Sequence, residues 1–322
     1  VTGVQTCALP ISIIAVNATA LAADNWPSKP VRIVNPYTAG GGVDVVGRAI
    51  AQQLSELWGQ PVVTDNRPGA GTTLGMEIVA HAPADGYTLL VSNGAVATAP
   101  ALYPKLNYNV SKDLAPIVLA VQSPYVLTVH PSVKAQSVQA LLSLARAQPG
   151  KLTYGSVGMG SPAHLMTELL RAMTGTDMVH VPYKGGAPAM IELIAGQVQL
   201  VFSSAPTAVP QVKAGKIRGL AVTTLKRSSV LPELPTLAES GLPGYEADNW
   251  YGNVTTAGTP RAIIDFLNAE INKALTSPDV KELLFKQGLE VKTSTPAEFG
   301  AYMKSEFDKW ARVIKEAGIS AN

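Results

Sequence analysis

The chain is poor in the residue types from which most catalytic and metal centres are built. Its only cysteine among 322 residues is Cys7. That residue sits in a leading stretch, VTGVQTCALPI, which has no Lys, Arg, Asp or Glu and reads as one frame of a sequencing-library adapter joined onto a truncated gene. Setting the stretch aside leaves no cysteine, which excludes disulfides, a thiolate nucleophile and cysteine-ligated metal. The four histidines, His81, His130, His164 and His180, show no i, i+4 spacing, so no metal site and no cofactor are expected. Charge of one sign is lacking too. Lys+Arg number 25 against Asp+Glu 23, and neither sign clusters, which excludes a basic nucleic-acid stripe and an acidic tail. No Gly-x-Ser-x-Gly nucleophile elbow is written anywhere.

Long apolar runs are scarce as well. The run ISIIAVNATALA is too short for a membrane span and is broken by Asn17. It has the form of the tail of a secretory signal ending in Ala20-Leu21-Ala22, without the basic start such a signal requires. Residues 1–22 are therefore expected to be adapter plus truncated signal peptide, with an exported chain starting near Ala23 and acting in the periplasm. Roughly 300 residues then remain, enough for two domains or one large α/β domain.

What the chain has is glycine in chosen places. In VRIVNPYTAGGGVDVVGRAIAQQL, an apolar extended run ends in three glycines and opens directly into a helical pattern. A dinucleotide loop fails on spacing, because the sixth position from Gly40 is Val45. An ATPase-type phosphate loop also fails, because Gly47 is followed by Arg48-Ala49. The general mechanism survives. Glycines admit close backbone approach, and the free N–H groups and positive dipole end of the helix's first turn favour an anion. A Gly-rich turn is equally an ordinary way of joining a strand to a helix, so the turn alone leaves both roles open.

Short β-rich runs alternate with helical stretches: VRIVNPY, PVVTDN, YTLLVSN, KLTYGSV, DMVHVPY, VQLVFSS and IRGLAVT read as strands, mostly apolar on both faces. Ser137 opens one helix, and Ser161-Pro162 opens another that stops at Gly175. Thr295-Pro296-Ala-Glu298 is a capping box starting the last helix, whose Phe299, Met303, Phe307, Trp310 and Ile314 share one face. This alternation predicts an α/β fold with parallel strands. Two long extended stretches break it, Asp113 to Pro131 and Gly244 to Pro260. They predict a chain that crosses twice between two lobes: lobe 1 from 23–122, an inserted lobe 2 from 123–246, and completion of lobe 1 by 247–322. The inserted part repeats the opening motif in KLTYGSVGMGSPAHLMTELL, with Gly155, Gly158 and Gly160 before a helix capped by Ser161. Two glycine-rich helix starts would then face each other across a cleft at the carboxyl ends of their strands.

The segments WPSKPVRIVNPYTAGGGVDVVGRAIAQQL, VVTDNRPGAGTTLG, ADGYTLL, ALYPKLNYNVSKDLAPI, GSPAHLMTELL and HVPYKGGAPAMIELIAGQVQL carry a specific resemblance. So do AGKIRGLAVTTLKRSSVLPELPTLAESGLPGYE and GTPRAIIDFLNAEINKAL; together they run in order from Trp26 to Ile319. The chain resembles the Bug (Bordetella uptake gene) family, the periplasmic solute-binding proteins of tripartite tricarboxylate transporters. The resemblance implies a two-lobed, type II-like periplasmic binding fold with a doubly crossed hinge, holding a small carboxylate in the cleft. It implies a carboxylate loop at Tyr37, Thr38, Ala39, Gly40 and Gly41, with Asp44 as a cap or water holder. Ser92 and Asn93 face the same cleft in this reading. Gly160 and Ser161 form the second carboxylate loop, although Ser161 also suffices as a plain helix cap. Tyr183 and Gly185 bracket Lys184, itself readable as countercharge or as a solvated lysine, and His164 is read as packing. Many relatives carry Asp where this chain has Gln199 and Ser203, which disfavours a ligand with an ammonium group; Ser203 stays among the ligand-binding candidates. The usual APAGTP is replaced by VTTAGTP at the second crossing.

The function so implied is capture of a small organic carboxylate by a monomer, which delivers it to membrane permease subunits without covalent chemistry. Two other classes compete: an exported binding protein that signals to a sensor, and an exported α/β hydrolase using Ser156 or Ser161 with a histidine.

Overall fold

The computed structural model describes residues 26–316, 318 and 319. The adapter-like stretch, Cys7 and the signal-like run lie outside the described residues.

The chain opens with strand β1 (Val31–Asn35), helix α1 (Gly42–Trp58), β2 (Val62–Asn66), α2 (Thr73–Ala80) and β3 (Thr88–Asn93). Helices α3 (Ala95–Leu102) and α4 (Val110–Asp113) lead into β4 (Leu114–Val129). Then follow α5 (Val138–Ala147), β5 (Thr153–Ser156), α6 (Pro162–Thr174), β6 (Val179–Pro182), α7 (Gly186–Ile194), β7 (Leu200–Ser204), α8 (Ala205–Lys213) and β8 (Arg218–Val222). The chain returns through β9 (Asp248–Thr256), α9 (Arg261–Thr276), α10 (Pro278–Lys286), β10 (Glu290–Val291) and α11 (Pro296–Glu316). The strand order is β2-β1-β3-β9-β4-β7-β5-β6, with β8 and β10 also paired to β4.

The helix punctuation follows the side-chain chemistry. The Ser137 side chain accepts from Ala140 N–H, Ser161 accepts from His164 N–H, and Gly175 closes α6 in the left-handed conformation. The Thr295–Glu298 box is reciprocal: Thr295 N–H donates to Glu298 Oε2 at 2.8 Å, and Glu298 N–H donates to Thr295 Oγ1 at 3.2 Å. On α11, Phe299, Met303, Trp310 and Ile314 are buried and Phe307 is half-buried.

The expected all-parallel pattern is corrected at the centre of the sheet. β1 pairs in parallel with β2 and β3, and β5 in parallel with β6 and β7. The two long extended stretches became β4 and β9, and both run antiparallel to their neighbours. The reason lies in what precedes them. β4 follows β3 through α3 and α4 and keeps the direction of β3 into the second half, whose β7 and β8 run the other way; β9 carries the direction of β8 back between β3 and β4. Not every strand is covered on both faces: β6 is an edge strand whose Val179 and Pro182 are exposed, because nothing packs outside it.

β4 is the element that organises the molecule. Its segment Leu114–Pro124 pairs with β9, and its segment Tyr125–Val129 pairs with β7 and β8. One continuous strand therefore belongs to two sheet halves, with Ser123-Pro124 at the junction opposite Asn249 and Asp248. The hollow considered next opens beside this junction.

Candidate functional site

The first glycine turn is held rigid by amide and carboxylate side chains around it. Asp44, in the first turn of α1 and buried, accepts from Gly40 N–H (3.0 Å), Asn35 Nδ2 (3.2 Å), Asn66 Nδ2 (3.0 Å) and Arg48 Nε (2.8 Å). Burial pushes its carboxyl pKa up, but Arg48, the Gly40 amide and Asn66 outweigh that and hold it below the usual carboxylate value. Asn35 Oδ1 accepts from Tyr37 N–H at 3.1 Å, and Asn66 Nδ2 donates to Tyr37 O at 3.0 Å. Tyr37 is buried, and its hydroxyl donates to Asn93 Oδ1 at 2.9 Å. Asn93 Oδ1 also accepts Ala95 N–H at 3.1 Å, which ties the β3–α3 corner to the turn.

Three helices begin at one hollow. Gly41, Gly42 and Val43 at the start of α1, Gly186 at the start of α7, and Ser204 and Thr207 at the start of α8 all line it. The N-cap residues Gly41, Gly185 and Ser204 give no side-chain hydrogen bond to a backbone N–H of their helices; the Ser204 hydroxyl meets Thr207 Oγ1 instead, at 3.2 Å. The first-turn amides, which have no partner within a helix, are therefore left to whatever occupies the hollow. The starts touch. A Cβ on Gly41 would lie 3.6 Å from Gly186 N, and one on Gly42 would overlap the Tyr251 hydroxyl and lie 3.1 Å from Ser204 Oγ. Glycine at 42 is what lets the two sheet halves meet here.

Tyr37, Asn93, Tyr125, Val157, Val201, Phe202, Ser203 and Tyr251 complete the wall, and the empty space, mouth included, is ≈ 430 Å³. Among the described residues, no Asp, Glu, Lys, Arg or His lines it. Burial raises the pKa of Tyr37 and Tyr125, and pushes Tyr251 up to about 12, so the phenols remain protonated donors at neutral pH. A hollow with neutral donors, three helix starts and no charged side chain among its described lining residues suits an anion with hydrogen-bonding oxygens.

Of the sequence-predicted residues, Tyr37, Gly41, Asn93 and Ser203 are lining residues. The others sit around them. Ala39 and Gly40 are exposed, a Cβ on Gly40 would lie 3.3 Å from Ala187 Cβ of α7, and Asp44 accepts the Gly40 N–H. Thr38 and Gly185 meet where the halves touch: Thr38 N–H donates to Lys184 O at 3.4 Å, and a Cβ on Gly185 would overlap Thr38 Oγ1. Ser92 is buried in β3, Tyr183 is half-buried, and the Lys184 side chain is exposed.

Gly160 and Ser161 make a second junction between the halves instead of lining the hollow. Thr98 Oγ1 donates to Gly160 O at 3.0 Å, and Tyr103 Oη donates to Met159 O at 2.8 Å. Ser161 is fully buried and spends its hydroxyl on the α6 cap. The hydrolase candidate Ser156 does lie 2.6 Å from His180 Nε2, but Ser156 is 0% exposed and no substrate carbonyl reaches it. Gln199 accepts from Thr153 N–H and Oγ1 at 2.8 and 2.7 Å, away from the hollow, so of the two departures it is Ser203 that lines it.

Sequence reasoning missed Gly42, Val43, Tyr125, Val157, Gly186, Val201, Phe202, Ser204, Thr207 and Tyr251. A signal for some was present: Ser204-Ala-Pro206 is a readable helix start, and Tyr125 and Tyr251 fall in the two crossing strands. Among the described residues, no group of three His, Cys, Asp or Glu is placed to hold a metal ion, and no helix is long and apolar enough to cross a membrane.

Fold and hollow together define a two-lobed solute-binding protein of the periplasmic type. The chain belongs to the tripartite tricarboxylate transporter family of receptors, whose family model matches residues 46–319. It is 40% identical to the UPF0065 protein of the tcbD–tcbE intergenic region of Pseudomonas sp. (strain P51), over 93% of this chain and 89% of that one. It is 36% identical to BugT of Bordetella pertussis, over 94% and 93% respectively. Among solved structures it resembles Rpa4515 of R. palustris with adipate (TM-score 0.88, 39% identity, covering 91% of this chain and 99% of that one). It also resembles MatC of Rhodopseudomonas palustris with bound malate (TM-score 0.86, 32% identity, 90% and 100%).

Proposed function

We propose that the protein captures a small organic carboxylate in the periplasm and, once closed around it, presents it to the permease subunits of a tripartite tricarboxylate transporter. The observation that carries this is the meeting of three uncapped helix starts on a hollow without a charged side chain. A carboxylate in such a place is stabilised by several N–H and O–H donors, each worth about 1.5–3 kcal/mol to an ionised acceptor. An ammonium group would find no countercharge there and would be buried at a cost of several kcal/mol. The relatives solved with adipate and with malate support the same ligand class.

The division that goes with this reading places lobe 1 at 23–122 and 247–322 and lobe 2 at 123–246, joined through β4 and β9. The site is Tyr37, Gly41 and Asn93 from the first lobe with Ser203 from the second, to which Gly42, Gly186, Ser204, Thr207 and Tyr251 are added. Thr38, Ala39, Gly40, Asp44, Ser92, Gly160, Ser161, Tyr183 and Gly185 then shape or join the lobes around the ligand. The mechanism is a population shift: a ligand touching both lobes binds fully only to the closed form and so favours it.

Thermal unfolding against a panel of mono-, di- and tricarboxylates, with the matching amino acids as controls, tests the reading. A ligand at about 100 times its Kd adds about 2.7 kcal/mol of stability, which raises Tm by several degrees. A carboxylate that does this and is recovered unchanged supports the proposal. Stabilisation by amino acids alone, or turnover of the acid, overturns it.

A further inference from the structure

The loop between β5 and α6 is supported by a pair of adjoining imidazoles that the ligand site does not use. His164 and His180 have ring centroids 4.3 Å apart, and Tyr154 stacks on His180 at 4.9 Å. Both histidines bond to the loop. Gly160 N–H donates to His164 Nδ1 at 3.1 Å. His180 Nε2 lies 2.6 Å from Ser156 Oγ, which accepts Gly158 N–H at 3.1 Å. The loop they support contributes Val157 to the hollow and, through the carbonyls of Met159 and Gly160, accepts the hydroxyls of Tyr103 and Thr98 from the other lobe. The histidines thus stand beneath both the ligand wall and the closing contact.

The loop needs a neutral His164. The nitrogen that accepts Gly160 N–H must keep its lone pair, because a proton there would set one N–H donor against another. The surroundings compensate a second charge only in part. Glu168 Oε1 lies 4.0 Å from His164 Nε2 but is already engaged by Arg171 at 2.7 Å and by the Tyr154 hydroxyl. Arg171 is a further cation, itself shared with Asp177 at 3.1 Å, and helix α3 on the facing lobe carries no ionisable side chain. We propose that His164 and His180 form a proton-sensitive support for the loop Val157–Gly160, so that acidification disorganises the closing contact and releases the bound anion. The release step rests on the carboxylate-binding reading given above; the loop support does not.

Burial, opposed in part by Glu168, lowers the His164 pKa from 6.5; burial and then His164 push His180 down to about 4. Both rings are neutral at pH 7 in the folded chain. For groups whose folded pKa is lowered in this way, the contribution is complete above 6.5 and is lost as pH falls toward 4.

The test has two readouts. In amide-resolved NMR of the ligand-free protein from about pH 7.5 to about pH 4.5, the Gly158 and Gly160 signals should move together with the His164 ring, with a midpoint below 6.5. In His164→Gln, whose amide oxygen accepts the same N–H without titrating, the Gly160 movement should vanish. Adipate affinity over the same range should fall about tenfold more in the wild type than in His164→Gln, since protonation of adipate itself is common to both proteins and cancels in the ratio. Gly158 and Gly160 amides that stay still while the histidines titrate, or equal pH losses in the two proteins, would overturn the proposal. If adipate binds neither protein at any pH, the ligand reading fails for that probe and the amide titration still decides the loop support. Should His164→Gln fail to fold, the wild-type titration decides alone.

Discussion

At the scale of single residues, Gly42 is the position on which the site's geometry turns. It is the first residue of α1, and a side-chain carbon there would overlap the Tyr251 hydroxyl, 2.9 Å from its Cζ. Tyr251 cannot swing away easily, because it is 1% exposed and its hydroxyl accepts from Asn249 Nδ2. Gly42→Ala is expected to destabilise the protein by about 1–3 kcal/mol, the usual range for overpacking, and to abolish carboxylate-induced stabilisation. Tyr251→Phe removes the overlapping oxygen but leaves the ring, so the double variant should recover part of the loss. Urea denaturation of the four-protein cycle measures the coupling, expected at about 1 kcal/mol. Strictly additive losses would mean that the two groups do not meet.

At the scale of elements, the last helix is tied to the crossing strand through one buried carboxylate. Glu306 on α11 is 6% exposed and accepts from Trp310 Nε1 (3.0 Å) on its own helix and from Trp250 Nε1 (3.2 Å) on β9, with Lys309 Nζ 3.6 Å away. Glu306→Ala leaves two indole N–H groups without an acceptor at about 1–3 kcal/mol each, whereas Glu306→Gln keeps one acceptor oxygen and should lose less than half as much. Midpoints in urea with unchanged slopes would check this; equal losses would refute it. The apolar face of α11 and its capping box were legible in the sequence because helix starts and 3.6-residue periodicity are local properties. Glu306 was not, since a glutamate on an amphipathic helix reads as solvated until the packing of β9 is known. The same limit applied to strand direction. The length of β4 and β9 was visible, but their antiparallel pairing depends on which sheet edge each returns to. For the site, the glycine turn at 40–42 was legible as backbone chemistry. Gly185 before α7 and Ser203 before α8 were named through the family resemblance, whereas Gly186 and Ser204 were not, because only the fold brings Gly186 against Gly41 and Ser204 against Gly42.

At the scale of the whole molecule, affinity should depend on contacts that no ligand touches. Thr98 Oγ1 to Gly160 O and Tyr103 Oη to Met159 O join the lobes beside the hollow rather than within it. Such bonds exist only when the lobes are together, so they contribute to the closed form and, through it, to binding. Removing them with Thr98→Val and Tyr103→Phe keeps the shapes of both side chains. At about 0.5–1.5 kcal/mol per hydrogen bond, the double variant should bind carboxylate about 5- to 150-fold more weakly. Neither substitution alters the ligand's own donors, so the loss should appear as faster dissociation with little change in association. Calorimetry and stopped-flow fluorescence measure the two quantities, and small-angle scattering with saturating ligand should still reach the compact form. Unchanged affinity would mean that closure does not depend on this junction, and the coupling between lobe contact and ligand capture would then have to run through the contacts of Thr38 with Gly185 and of the α1 start with Gly186 and Ser204.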